Sequence, residues 1–202
     1  MDTFDSNLFI WNTRFVLIMT TSERLTRQKW LEIGLDLLGT HGEKALTIER
    51  LCKISNRSKG SFYHHFKNRD EFTVALLEHW QSEYTNRIIS TVDRLDNLNE
   101  RRQTLERLVA SLNSQIERAI RNWSGSDERV WQALKSVDEK RVEYVAKLIS
   151  DSGQSDRKIA FELAIIEYAT FIGLQHLYPD AEDVWIEQIL LRLAQLTTSF
   201  ND

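Results

Sequence analysis

Three residues suited to capping helices, Thr47, Ser58 and Asn68, fall within residues 47–70, and their spacing constrains the fold more than any other feature. Each offers a side-chain oxygen to a backbone N–H that a helix start leaves unpaired. After Thr47, Ile48, Leu51 and Cys52 share one helical face. The pattern breaks at Ser55, Asn56 and Arg57. Asn takes the left-handed turn conformation more readily than most side chains. After Ser58, Phe62 and Phe66 fall four apart on one face, which leaves Lys59, Ser61, Tyr63, His64 and His65 pointing elsewhere. Asn68 then opens a third helix at Arg69. Two helices joined by a short turn, the second with cationic, hydroxyl and aromatic groups on its open side, predict a helix-turn-helix DNA reader.

The residue types assign themselves to different parts of a duplex. Lys59, Gly60 and Ser61 occupy the first turn of the second helix, the part that meets base edges. Lys59 can donate to guanine acceptors, and Gly60 allows a backbone or a thymine methyl to come close. Tyr63, His64, Lys67 and Arg69 are donors suited to phosphates, with His65 beside them and Arg57 just before the second cap. The helix starts at Thr47 and Ser58 add free N–H groups and a positive dipole end. The competing reading is a surface helical hairpin whose charges are merely solvated.

From Arg24 to Leu77 the chain resembles the N-terminal domain of TetR-type transcriptional repressors. The resemblance rests on Trp30, Leu31, Gly34, Leu37 and Leu38, then Gly42, Thr47-Ile48, Leu51, the run 58–66, and 68–72. It depends most on Tyr63 to Phe66 followed by a capped helix. Three positions depart from the family pattern. Asn56-Arg57 stands where Gly-Val is usual, so an apolar contact becomes a cation that could change which operator is read. Arg69 replaces a usual Lys and keeps its charge. Gly34 replaces a usual Ala, which weakens the first helix or permits closer packing.

Composition supports an all-α chain with two parts. One Pro and seven Gly among 202 residues argue against many turns, and no alternating β-type runs bounded by hairpin turns occur. The expected architecture is an extension over 1–21, a helix-turn-helix domain of three helices over 22–70, and a helical regulatory and dimerisation bundle over 71–202. The formal net charge of −4 is unevenly spread. Residues 22–70 carry 10 Lys and Arg against 6 Asp and Glu, whereas residues 71–202 carry 15 against 22. A basic head on an acidic body confines attraction for polyanions to the head. The single Cys52 rules out an internal disulfide and suggests a reducing cytoplasm.

Enzyme chemistry finds no foothold. There is no Gly-rich phosphate loop, no Cys pair and no His-x-x-x-His spacing, and no cofactor is implied. His64 and His65 are adjacent on a helix, about 100° apart, which disfavours joint chelation of a metal.

Along the chain, residues 1–21 fall outside the resemblance. Either Met19 is the true start, or Phe9, Ile10 and Trp11 belong to an arm that packs on the body or a partner. The apolar run from Phe15 to Met19 is far below the about 20 residues a membrane span needs. A helix is expected over 23–40. A long one starts at Arg69, with Phe72, Leu76, Trp80, Tyr84, Ile88 and Val92 every four residues, reaching Leu95. One further helix is read from Leu105 to Ile120, then one capped by Ser126 with apolar positions continuing to Ile149. Ser155 and Asp180 are read as caps of the last two helices, over 156–177 and 181–198.

Those last two helices are apolar over more than one face, as Ile159, Leu163, Ile166, Phe171 and Ile172 show, and Val184, Trp185, Ile189 and Leu193 after them. One face suits the body and the other a second subunit. A homodimer also places two recognition helices about 34 Å apart, matching successive major-groove faces of an inverted-repeat operator. Trp80, Tyr84, Trp131 and Tyr168 are candidate walls of a small-molecule pocket, although an aromatic at helical spacing is more often plain core; Asn113, Gln115 and Glu167 are polar groups that would orient a ligand. The resemblance implies a cytoplasmic dimeric repressor, released from its operator when an effector acts through the long helix from Arg69. The alternatives are an activator or effector-independent DNA binder, and, from another class, a protein–protein adaptor that has lost DNA binding.

Overall fold

Side-chain caps set the helix starts. The computed structural model describes residues 25–153, 156–179, 181 and 183–198, and among them ten α-helices and no strand. The extension over 1–21 and the capping roles read for Ser155 and Asp180 lie outside the described residues. Thr26 opens α1 (Arg27–His41), accepting from the Lys29 N–H at 3.2 Å, so this helix starts after the expected residue 23. Thr47 caps α2 (Ile48–Ser55), Ser58 caps α3 (Lys59–Tyr63) and Asn68 caps α4 (Arg69–Gln81), all as the sequence predicts. Asn56 is left-handed, with φ 51° and ψ 45°. The Arg57 N–H reaches back to Cys52 O at 3.0 Å, which closes the end of α2 and sets the turn into α3.

The long stripe after Arg69 is helical but not uniform. α4 passes into a π turn (Ser82–Asn86) and then α5 (Arg87–Val92). In an α-helix, residues four apart overshoot a full turn by about 40°, so a four-residue stripe drifts around the axis. The wider π turn winds less per residue and corrects that drift. Phe72, Leu76, Trp80, Ile88 and Val92 all stay buried, while at the π turn Thr85 is buried and Tyr84 is only half-buried.

The single helix expected over 105–120 is two, α6 (Leu98–Ala110) and α7 (Ser114–Ser124). Asn113 breaks the run by accepting the Gln115 N–H at 3.0 Å. Packing explains why the break persists. Leu105, Leu108 and Val109 pack on a cluster around Ile88, Val92, Tyr144 and Leu148, whereas Ile116, Ile120 and Trp123 join the core beneath the N-terminal helices. One straight helix could not serve both. The cap of α8 (Glu128–Asp151) is Asp127, not Ser126, whose hydroxyl donates instead to Trp123 O at 3.1 Å. A carboxylate accepts the Arg129 N–H more strongly than a hydroxyl would. Asp156 caps α9 (Arg157–Leu177) through the Lys158 and Ile159 N–H groups, and α10 (Asp183–Thr198) closes the described chain.

One core runs from head to body. Trp30, Leu38, Phe62, Phe66, Phe72 and Trp80 are continuous with Ile120, Val130 and Val137. No linker separates the two parts at residue 70. Gly34 lets α1 and α4 approach: a Cβ there would stand 2.6 Å from Phe72 Cζ and 2.9 Å from Leu76 Cδ1. The Phe72 ring is itself locked between Phe62 and Phe66, at centroid distances of 5.4 and 5.0 Å, and has nowhere to move. Close packing is therefore the reason for this glycine. Gly34→Val should lower stability by about 1–3 kcal/mol through overpacking, read as a fall in the denaturant midpoint; an unchanged midpoint would show that the α1–α4 approach is looser.

Candidate nucleic-acid interface and body cavity

α3 is too short to hold itself together, and its position comes from its aromatic face. Phe62 packs against Trp30, Phe66 and Phe72 at centroid distances of 5.5, 5.2 and 5.4 Å, and Arg27 lies 5.2 Å over the Phe66 ring. The opposite face is open. Ser58, Lys59, Gly60, Tyr63, His64, Lys67 and Arg69 are exposed, with Ser61 half-buried among them. A Cβ at Gly60 would meet only Ser58 Oγ, at 3.6 Å, so the bare backbone there faces open space.

Not every predicted contact faces that way. The Thr47 and Ser58 hydroxyls are committed to capping, accepting the Arg50 and Ser61 N–H groups at 3.2 and 3.3 Å. Arg57 is half-buried. His65 departs from the expected open face: its Nε2–H donates to Leu25 O at 2.8 Å, tying the end of the reader to the start of α1. Glu71 accepts the Lys67 N–H at 2.9 Å while Asn68 accepts the Glu71 N–H at 2.8 Å, fixing Lys67 and Arg69 at the start of α4.

One electrostatic feature was missed in the sequence. Lys59 forms an ion pair with Glu49 of α2. The bond to Lys59 draws the Glu49 carboxyl below its ordinary range, and the same bond raises the Lys59 ammonium. Both side chains are exposed, so the pair is weak enough for a phosphate or a guanine edge to replace the carboxylate.

The body holds a cavity of about 620 Å³ among α5 to α10. Tyr84 and Tyr168 line it, as do Asn113 and Glu167. The other two ring candidates lie elsewhere. Trp80 is fully buried in the shared core beneath the Arg141 guanidinium, 5.5 Å from its ring, and Trp131 is exposed on α8. Six charged residues in the wall went unranked: Arg102, Glu106, Arg107, Glu117, Arg118 and Arg141. Their signal was present, since Arg141 interrupts the apolar series Leu134, Val137, Tyr144 and Leu148 at helical spacing.

Arg141 is the hub of this wall. It donates to Glu117 Oε1 at 2.8 Å, Tyr168 OH at 3.1 Å, Thr85 Oγ1 at 3.0 Å and Tyr84 O at 3.3 Å. Burial depresses the guanidinium, but Glu117 and Tyr168 outweigh it and leave its pKa above the ordinary value. Arg121 adds a two-pronged pair to Asp138, at 2.6 and 2.9 Å, and Tyr168 donates to Asp138 at 2.7 Å. Burial, helped by nearby Asp36 and Glu117, pushes the Tyr84 phenol up to about 12, so it stays a neutral donor. Among the described residues, no group of His, Cys, Asp and Glu could hold a metal ion, and no helix is long and apolar enough to cross a membrane.

Head and body together define a helix-turn-helix module built onto a cavity-bearing helical bundle. Residues 31–76 match the family described as bacterial regulatory proteins, tetR family. The chain is 35% identical over 54 residues to the transcriptional regulator AcuR of Cereibacter sphaeroides, covering 27% of this chain and 25% of that one. It is 34% identical over 67 residues to the HTH-type transcriptional repressor NemR of Escherichia coli strain K12, covering 33% and 34% respectively. The matched stretch thus spans only a quarter to a third of these relatives' length. A solved TetR transcriptional regulator from Legionella pneumophila superposes with a TM-score of 0.70 at 16% identity, over 88% of this chain and 99% of that one, and so shares the body's fold. The match to the tetR family of bacterial regulatory proteins is carried by the helix-turn-helix head, residues 31–76.

If Glu49 competes with DNA for Lys59, Glu49→Gln should tighten duplex binding roughly two- to fivefold at low salt. Fluorescence anisotropy on a labelled duplex checks this; weaker binding would mean that the pair holds Lys59 in its reading position.

Proposed function

We propose that the protein is a dimeric DNA-binding transcriptional regulator of the cytoplasm, a repressor released from an inverted-repeat operator by a small molecule in the body cavity. The open face of α3, with Lys59, Gly60, Ser61 and Tyr63 at its first turns, carries the reading. The family match over residues 31–76 supports it independently. Relatives named as transcriptional regulators favour regulation over catalysis.

Dimerisation is supported by the apolar side chains left uncovered on the last two helices. Ile165, Ile166, Val184 and Leu191 are 45%, 47%, 60% and 54% exposed, unusual for side chains of that size on helices so apolar. A second copy of the same face would cover them and set two α3 helices on one side of a duplex.

Release follows from where Arg141 sits. It touches Glu117 and Tyr168 in the cavity wall, and also Tyr84 O and Thr85 Oγ1 in the π turn of the helix that leaves the head. A side chain bonded to backbone inside a helix is a recognised cause of local distortion. A ligand that draws Arg141 away frees the π turn to tighten, and α4 shifts against α1 and carries α3 with it. Coupling of about 1–3 kcal/mol is enough to weaken operator binding 5- to 150-fold.

Selection of genomic fragments by the purified full-length protein, near physiological salt, tests the reading. Recovery of one inverted repeat is expected, with binding that falls as salt rises and falls again in Lys59→Ala and Tyr63→Phe. Recovery of nothing above background would point instead to a helical adaptor that has lost DNA binding, and binding unchanged in both variants would overturn the reading of α3.

A further inference from the structure

We propose that the body cavity receives an amphipathic organic monoanion, whose carboxylate sits at Arg118 and whose apolar part lies against Ile88, Leu105, Val109 and Phe171. The proposal rests on reading the cavity as the effector site and names the class of effector.

Charge pairing in the wall decides the sign. Each wall carboxylate already has a cation: Glu117 is held by Arg141 at 2.8 Å and by Arg121 at 3.2 Å, Glu106 by Arg102 at 3.0 Å, and Glu167 also by Arg102. The exposed Arg107 has no carboxylate within ion-pair distance among the described residues, and neither has Arg118. Arg118 is half-buried in the same wall, and its bond goes to the neutral Ser114 Oγ at 3.0 Å. A cationic ligand would have to pull a carboxylate out of a partly or fully buried ion pair, leaving an arginine uncompensated, which is strongly unfavourable. An anion displaces only a hydroxyl. The planar guanidinium also matches a carboxylate through two parallel N–H bonds.

Two further features point the same way. Asn113 and Ser114, at the start of α7 (Ser114–Ser124), line the cavity beside Arg118, so the positive end of that helix faces the same space. On the α9 side, Gln175 Oε1 is buried with no hydrogen-bond partner among the described residues. Whichever way its amide is turned, the protein leaves there a polar group that a ligand can satisfy. Ile88, Ile89, Leu105, Val109 and Phe171 supply an apolar part of the lining, and about 620 Å³ is ample for a small organic acid.

Calorimetry on the full-length protein tests this, with propionate, octanoate and 3-phenylpropanoate, each beside its alcohol and its amine. The best-fitting acid should bind at least tenfold tighter than its alcohol or amine. Arg118→Met should weaken that acid tenfold or more while leaving the alcohol within twofold, and Arg118→Lys should restore part of the loss. Circular dichroism confirms that each variant is folded. Alcohols or amines that bind as tightly as acids, or an acid indifferent to Arg118→Met, would overturn the anion class and leave the effector cavity standing. Binding by no compound of any head group would overturn both, whereas operator selection reports on DNA reading separately.

Discussion

The packing of Phe62 into Trp30, Phe66 and Phe72 is the contact on which the rest depends. A helix of five residues has no stability of its own in water, because nucleation costs more than so few backbone bonds return. α3 exists because its aromatic face is anchored while Ser58 and Asn56 fix its entry. Its exposed side chains therefore stand on a rigid base, which a reader of base edges needs. The same cluster continues through Trp80 into Ile120 and Val137, so the base extends into the body.

A second constraint is electrostatic. Arg141, Arg121, Glu117, Asp138 and Tyr168 form a network that is largely out of solvent. Such networks seldom add stability over an apolar core of equal volume, because desolvation offsets most of the attraction. Their usefulness lies in having discrete arrangements. Arg141 holds the π turn and the cavity wall with one guanidinium, so a change of partner on one side is felt on the other. Arg118 lies in the same wall, bonded to Ser114 and with no carboxylate within ion-pair distance among the described residues.

Much of the head was legible in sequence because caps and turns are local. Thr47, Asn56, Ser58 and Asn68 act within four residues of themselves, and each lies where the pattern placed it. The body was less legible, since its outcome depends on contacts distant in the chain. The break at Asn113 persists because α6 and α7 serve different clusters, and its only local sign is one capping residue inside an apolar series. The π turn answers the drift of a four-residue stripe and a bond from Arg141, 57 residues away. Ring candidates failed in both directions: Trp80 went to the core and Trp131 to the surface, while Tyr84 and Tyr168 reached the cavity. Size and aromaticity do not say which face a ring will use. A charge inside an apolar stripe says more, and Arg141 was the better guide.

The central claim is that head and body share one core, so that an event in the cavity can reach α3. Native-state amide hydrogen exchange under increasing denaturant tests it most directly. Amides of Leu38 in α1, Ile120 in α7 and Leu134 in α8 should open together, with one free energy. A head that opens at clearly lower free energy, while α7 and α8 stay protected, would show that the two parts are mechanically separate and contradict the claim.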